Sequence, residues 1–125
     1  MNRAARKPPR GKAAPRGDCF EAAFRYLTSL ALDDPRTAAL LAHGEVAGQG
    51  SLAGITFAHG WVLVGDFVVD VSNGLNVLMP REDYYRVGRI AEINNLRVYT
   101  WEQARKWVHT TENYGPWELT TASGL

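Results

Sequence analysis

Residues 55–72 read ITFAHGWVLVGDFVVDVS, and this stretch decides the fold. Both arms are rich in β-branched and aromatic residues, which favour β-strands. The Gly65-Asp66 pair between the arms suits a two-residue hairpin turn. The sequence therefore predicts an antiparallel hairpin with a turn at 65–66.

The hairpin register places a histidine close to an aspartate. With the turn at 65–66, Trp61 lies opposite Asp70 and His59 lies opposite Ser72. Side chains two residues apart along a strand share a face, so all four lie on one surface and His59 is a diagonal neighbour of Asp70. Diagonal α-carbons are about 7 Å apart, close enough for a carboxylate to accept a hydrogen bond from an imidazole. A slip of one residue would separate the two side chains.

A helix is predicted directly before this region. Asp18 and Glu21 have the spacing of a capping box, which starts the helix at Cys19. Cys19 is the single cysteine, so it forms no internal disulfide and is either a core residue or a reagent. A first-turn thiol feels the positive end of the helix dipole, which favours the thiolate. The stripe that would pack on the sheet is Phe20, Ala23, Phe24, Leu27, Leu30 and Ala31.

The segment between this helix and the hairpin gives mixed signals. Pro35 is in a first-turn position and is followed by alanines and leucines, which favours a short second helix reaching Leu41. Residues 44–54 contain four glycines and indicate a strand and a mobile loop. These glycines form no phosphate-binding loop, because no G-K-[ST] motif accompanies them.

The C-terminal half contains several further signals. Thr100 and Gln103 have capping-box spacing and open a helix that lays Trp101, Ala104, Trp107 and Val108 on the core. The segment at 114–117 is too aromatic for a linker, so we expect it to fold back and pack. The other elements predicted here are a short helix at 80–87 and a strand within 90–99.

Charge is distributed unevenly. Residues 1–16 carry six of the fourteen basic residues and no acid, and they include three prolines. We expect this segment to be a disordered basic tail, followed by a single domain at 17–125. The tail could contact nucleic acid or a membrane surface nonspecifically, but no specific nucleic-acid partner is predicted. No apolar run is long enough for a membrane span and no secretory signal is present, so the expected location is cytoplasmic.

Three segments together resemble a known family. They are GDCFEAA at 17–23, AHGWV at 58–62 and VVDVS at 68–72. They are similar to the Cys, His-Ala-Trp-Val and Asp-Pro-Thr motifs of papain-like and transglutaminase-like domains, especially small phage and bacterial cysteine-peptidase-like domains. Gly60 stands where that family commonly has alanine. The resemblance implies an α+β fold in which an N-terminal nucleophile-bearing helix packs on a small antiparallel sheet.

The residues and the resemblance indicate the same chemistry. Cys19 is the expected nucleophile, His59 the base that activates it, and Asp70 the group that orients the histidine. The predicted function is a cysteine-dependent hydrolase or acyl transferase acting on a peptide, isopeptide or other amide bond of a peptide or protein substrate. The alternative is a catalytically inactive module that binds a peptide or protein partner.

Other details of the site follow from the same hypothesis. The backbone N–H of Cys19 is one expected oxyanion donor, and the second is left open between Gln49 and the Trp61 indole. No cofactor and no metal are predicted. His43 and His109 lack both the helical spacing and the cysteine pairs that are typical of zinc sites.

Overall fold

The computed structural model describes residues 18–48, 50–74, 76–90 and 95–119. The tail predicted at 1–16 therefore lies outside the described residues. Short 3-10 turns occur at Gly50–Leu52 and Ser72–Gly74. The helices and strands are α1 (Asp18–Asp33), β1 (Leu40–Ala47), β2 (Thr56–Val64), β3 (Phe67–Asp70), β4 (Val77–Pro80), α2 (Arg81–Val87), β5 (Leu96–Tyr99) and α3 (Trp101–Thr111).

The strands form one antiparallel sheet in the order β4-β3-β2-β1-β5. The predicted hairpin, β2 and β3, lies inside this sheet rather than at its edge. The fold is α+β, as the sequence predicts, with helices on both faces of an antiparallel sheet.

The predicted hairpin register is confirmed. Val62 pairs with Val69, and Val64 pairs with Phe67 next to the turn. Gly65 has φ +60, a conformation that glycine adopts at no steric cost. Continuing the same register places Trp61 opposite Asp70, so the four polar and aromatic side chains of the prediction share one face.

The predicted second helix reaching Leu41 is wrong. Asp34 Oδ1 accepts a hydrogen bond from the Arg36 backbone N–H at 3.0 Å, which forms a turn at Pro35 instead of a helical start. Leu40–Ala47 is then a strand paired on both sides, with β2 and β5. Four consecutive buried residues suit a central strand that is covered on both faces, and this pairing outweighs the helix preference of alanine and leucine.

Two hydrophobic clusters lie on opposite faces of the sheet. One lies under α1 and α3, and the other lies under α2. No helix within the described ranges has both the length and the apolar character that a bilayer span needs. The first cluster comprises Ala23, Leu27, Ala39, Leu41, Val62, Val69, Tyr99 and Ala104, and the second Ala42, Val46, Trp61, Leu63, Val68, Tyr85 and Ile90.

The C-terminal elements follow their local signals closely. Thr100 caps α3 through a complete capping box with Gln103. α2 begins directly after Pro80, and β5 occupies the end of the segment in which a strand was expected. The aromatic segment folds back as predicted, because Trp117 packs against the first cluster. Strand β4 was not predicted, and its pairing with β3 makes it an edge of the sheet.

Candidate active site

His59 and Asp70 are hydrogen-bonded to each other. His59 Nε2 lies 2.9 Å from Asp70 Oδ2, and each side chain is 12% exposed. The diagonal placement across β2 and β3 explains the contact, since both side chains project from the same face of neighbouring strands. The orienting half of the expected triad is therefore assembled.

The Asp70 carboxylate accepts three further hydrogen bonds. Asp70 Oδ1 receives the backbone N–H of Ser72 at 3.0 Å and the Ser72 hydroxyl at 2.7 Å. Asp70 Oδ2 receives the Tyr84 hydroxyl at 2.5 Å, in addition to His59. Burial by itself raises the pKa of the Asp70 carboxyl, but the donors, led by His59, outweigh burial and lower that pKa below its ordinary range. Asp70 is therefore an anion held in a fixed orientation.

The third member, Cys19, lies in the first turn of α1 and hydrogen-bonds to the His59 ring. Burial lowers the pKa of His59, but the hydrogen bonds to Asp70 and Cys19 outweigh burial and raise that pKa to about 9. The imidazole therefore has a strong affinity for a proton at neutral pH. The structure brings all three expected side chains together.

Gly60 allows the start of α1 to approach β2, the strand that carries His59. A Cβ atom built on Gly60 would lie 3.1 Å from Phe20 Cδ1 and 3.5 Å from the Phe20 Cα. α1 also contacts the turn at Ser72–Gly74, which follows Asp70. A side chain at Gly60 would crowd Phe20, so its absence favours the close packing of α1 on β2.

The site forms where β3 ends. His59 and Trp61 project toward α2, whereas α1 packs on the other face of the sheet. Within the described ranges, β3 pairs with β2 only from Val62 to Val64. Beyond that point the tip of α1 lies beside β2, so a thiol from one face can meet an imidazole from the other.

Trp61 supports the imidazole but is not open to a substrate. Its indole stacks on His59 with ring centroids 6.1 Å apart and an interplanar angle of 27°. Trp61 is 0% exposed within the cluster under α2. No substrate oxygen reaches a sealed indole, so the suggestion of Trp61 as an oxyanion donor is wrong for this structure. Gln49, the other candidate, lies outside the described residues.

The two remaining histidines lie away from the site's polar groups. His43 is fully buried in β1 among aromatic rings, and burial lowers its pKa to about 3. His109 is exposed near the end of α3. Across the described part of the chain, no group of three histidine, cysteine, aspartate or glutamate side chains could hold a metal ion.

Sequence reasoning missed the role of Tyr84. Nothing in the sequence indicated a contact between Tyr84 and Asp70, yet the Tyr84 hydroxyl donates to the candidate orienting acid. Tyr84 reaches Asp70 only because β4 carries the chain back along β3 before α2 begins, and β4 was itself not predicted. Ser72 was placed on the correct face, but its double contact with Asp70 depends on the turn that follows β3.

Comparison with models of protein families, with curated proteins and with solved structures finds no match for this chain. The function therefore has to be argued from the geometry of the site.

Proposed function

We propose that the protein is a cysteine-dependent hydrolase or acyl transferase of the papain-like or transglutaminase-like kind, acting on an amide bond of a peptide or protein. The observation that supports this most strongly is that one imidazole is hydrogen-bonded to both a thiol and a buried carboxylate. A nucleophile, a base and a group that orients the base are the parts that nucleophilic acyl transfer needs.

The proposed reaction begins with transfer of the Cys19 thiol proton to His59. The sulfur then attacks the substrate carbonyl carbon, and His59 returns the proton to the leaving amine as the C–N bond breaks. The product is a thioester on Cys19. Water or a second amine, losing its proton to His59, then attacks the thioester and restores the thiol. Asp70 stays charged throughout and stabilises the imidazolium.

The second candidate is a non-catalytic module that keeps this fold and binds a peptide. It is favoured by one observation, the 9% exposure of Cys19, which leaves little of that residue at the surface. In this alternative the three polar groups stabilise the contact between α1 and the hairpin. The two candidates differ in whether an acyl group can be loaded onto the sulfur.

Acetylation by p-nitrophenyl acetate tests the proposal, because this small activated ester needs no substrate groove. Intact-mass measurement should find one acetyl group on the folded protein and none on Cys19→Ala. His59→Ala should slow acetylation by about a hundredfold or more, the usual contribution of a general base. His109→Ala is the matched control and should react at the wild-type rate, because this exposed histidine lies on α3.

Added glycinamide distinguishes the two reaction types, since a transferase passes the acetyl group to the amine whereas a hydrolase releases acetate. The enzyme proposal is wrong if His59→Ala is acetylated as fast as the wild type. It is also wrong if the folded wild type neither takes up an acetyl group nor releases p-nitrophenol faster than Cys19→Ala does, and that result favours the binding module.

A further inference from the structure

Tyr84 shares an acceptor atom with the candidate base. Its hydroxyl donates to Asp70 Oδ2 at 2.5 Å, and His59 Nε2 lies 2.9 Å from the same oxygen. The Ser72 donors both use the other oxygen, Oδ1. Of these donors, Tyr84 is therefore the one that competes directly with the imidazole for the charge on Oδ2.

The same residue also contacts the ring that supports the imidazole. The Tyr84 ring packs on Trp61 with centroids 5.6 Å apart, and Trp61 stacks on His59. Burial first, and then the neighbouring Asp70 charge, raise the pKa of the Tyr84 hydroxyl far above its ordinary value, so the group remains a donor. Tyr84 thus holds the carboxylate through its oxygen and the indole through its ring.

We propose that Tyr84 is a positioning residue that sets how strongly His59 retains its proton. By donating to Asp70 Oδ2, its hydroxyl takes part of the charge that would otherwise act on the imidazole alone. A hydrogen bond at this oxygen therefore keeps His59 able to give its proton to a leaving amine. This catalytic consequence rests on the proposed function, whereas the effect of Tyr84 on the proton of His59 does not.

The test is a pH titration of His59 in the wild type and in Tyr84→Phe, with NMR of the His59 ring nitrogens as the readout. The signal is assigned by its absence in His59→Gln. Removal of the hydroxyl should raise the titration midpoint of His59 by about half a pH unit or more, because the full charge on Oδ2 then faces the imidazole. Tyr99→Phe is the matched control, since it also removes a tyrosine hydroxyl that donates to a carboxylate, that of Glu118, at 2.9 Å.

The direction of the change separates positioning from simple packing. If Tyr84 only fills space, its loss loosens the site and the midpoint of His59 stays where it was or falls toward about 6.5, the value of a free imidazole. Either result overturns the inference. A shift of equal size in Tyr99→Phe overturns it as well, because the effect would then not be specific to Asp70.

The inference and the proposed function can fail separately. A raised midpoint in Tyr84→Phe, together with a wild type that reacts with p-nitrophenyl acetate no faster than Cys19→Ala, supports the role of Tyr84 and rules out the enzyme proposal. An acetylated Cys19 together with an unchanged His59 midpoint in Tyr84→Phe supports the enzyme proposal and rules out the role of Tyr84.

Discussion

Replacing His43 by leucine should make the free energy of unfolding fall less steeply as the pH is lowered. The imidazole of His43 is 0% exposed, and neither ring nitrogen has a hydrogen-bond partner among the described residues. It is packed between Phe20, Tyr99 and Trp117, with ring centroids 5.0, 5.3 and 4.9 Å away. A proton added there would place an unpaired charge among aromatic rings.

The magnitude follows from the difference between the folded and unfolded pKa of His43. Burial lowers the folded pKa to about 3 from an ordinary value of 6.5. The unfolded chain therefore binds the proton first, and stability that is complete above pH 6.5 is lost as the pH falls toward 3. At about 1.4 kcal/mol per pH unit, the free energy of unfolding should fall by about 3 kcal/mol between pH 6.5 and 4.5 from this group alone.

Urea unfolding at a series of pH values between 4.5 and 7 measures this effect. The quantity of interest is the slope of unfolding free energy against pH, since leucine also changes packing at every pH. The His43→Leu slope should be smaller than that of the wild type, while His109→Gln, which alters an exposed histidine, should keep the wild-type slope. Equal slopes for His43→Leu and wild type would refute the argument.

Three other substitutions test separate parts of the account. Between pH 6.5 and 9 the unfolding free energy of the wild type should fall by about 3 kcal/mol, because the folded pKa of His59 is raised to about 9. His59→Gln should not show this fall, and urea unfolding in that pH range measures it. Gly115→Ala should destabilise by about 2 kcal/mol or more, since Gly115 has φ +103 and the new Cβ would lie 2.6 Å from His43 Cε1. Gly65→Ala, with φ +60 and open space around it, shows what a positive φ costs without a clash. Thr100→Ala should cost about 1 kcal/mol in thermal or urea unfolding by removing the cap of α3, and an unchanged stability would contradict the capping box.

The hairpin could be predicted because its signals are local. Gly65 and Asp66 fix the turn, the turn fixes the register, and the register places His59 beside Asp70. The capping box at Thr100 is also local, since its two hydrogen bonds join residues three apart. Such features need no knowledge of the rest of the fold.

The features that could not be predicted depend on contacts between distant segments. β1 was read as a helix because nothing local shows that β2 and β5 pair on its two sides. The contact of Tyr84 with Asp70 requires the path of β4. The approach of Cys19 from the far face of the sheet depends on where β3 ends, which the strand residues themselves do not show.

The alkylation of Cys19 by iodoacetamide in the folded protein tests the central claim most directly. If the sulfur, imidazole and carboxylate act as one unit, the wild type reacts well below about pH 8.5, where an ordinary thiol ionises, and His59→Ala suppresses that reaction. The contrary result is a thiol that reacts only after denaturation, or one whose reaction rate at each pH is the same with and without His59.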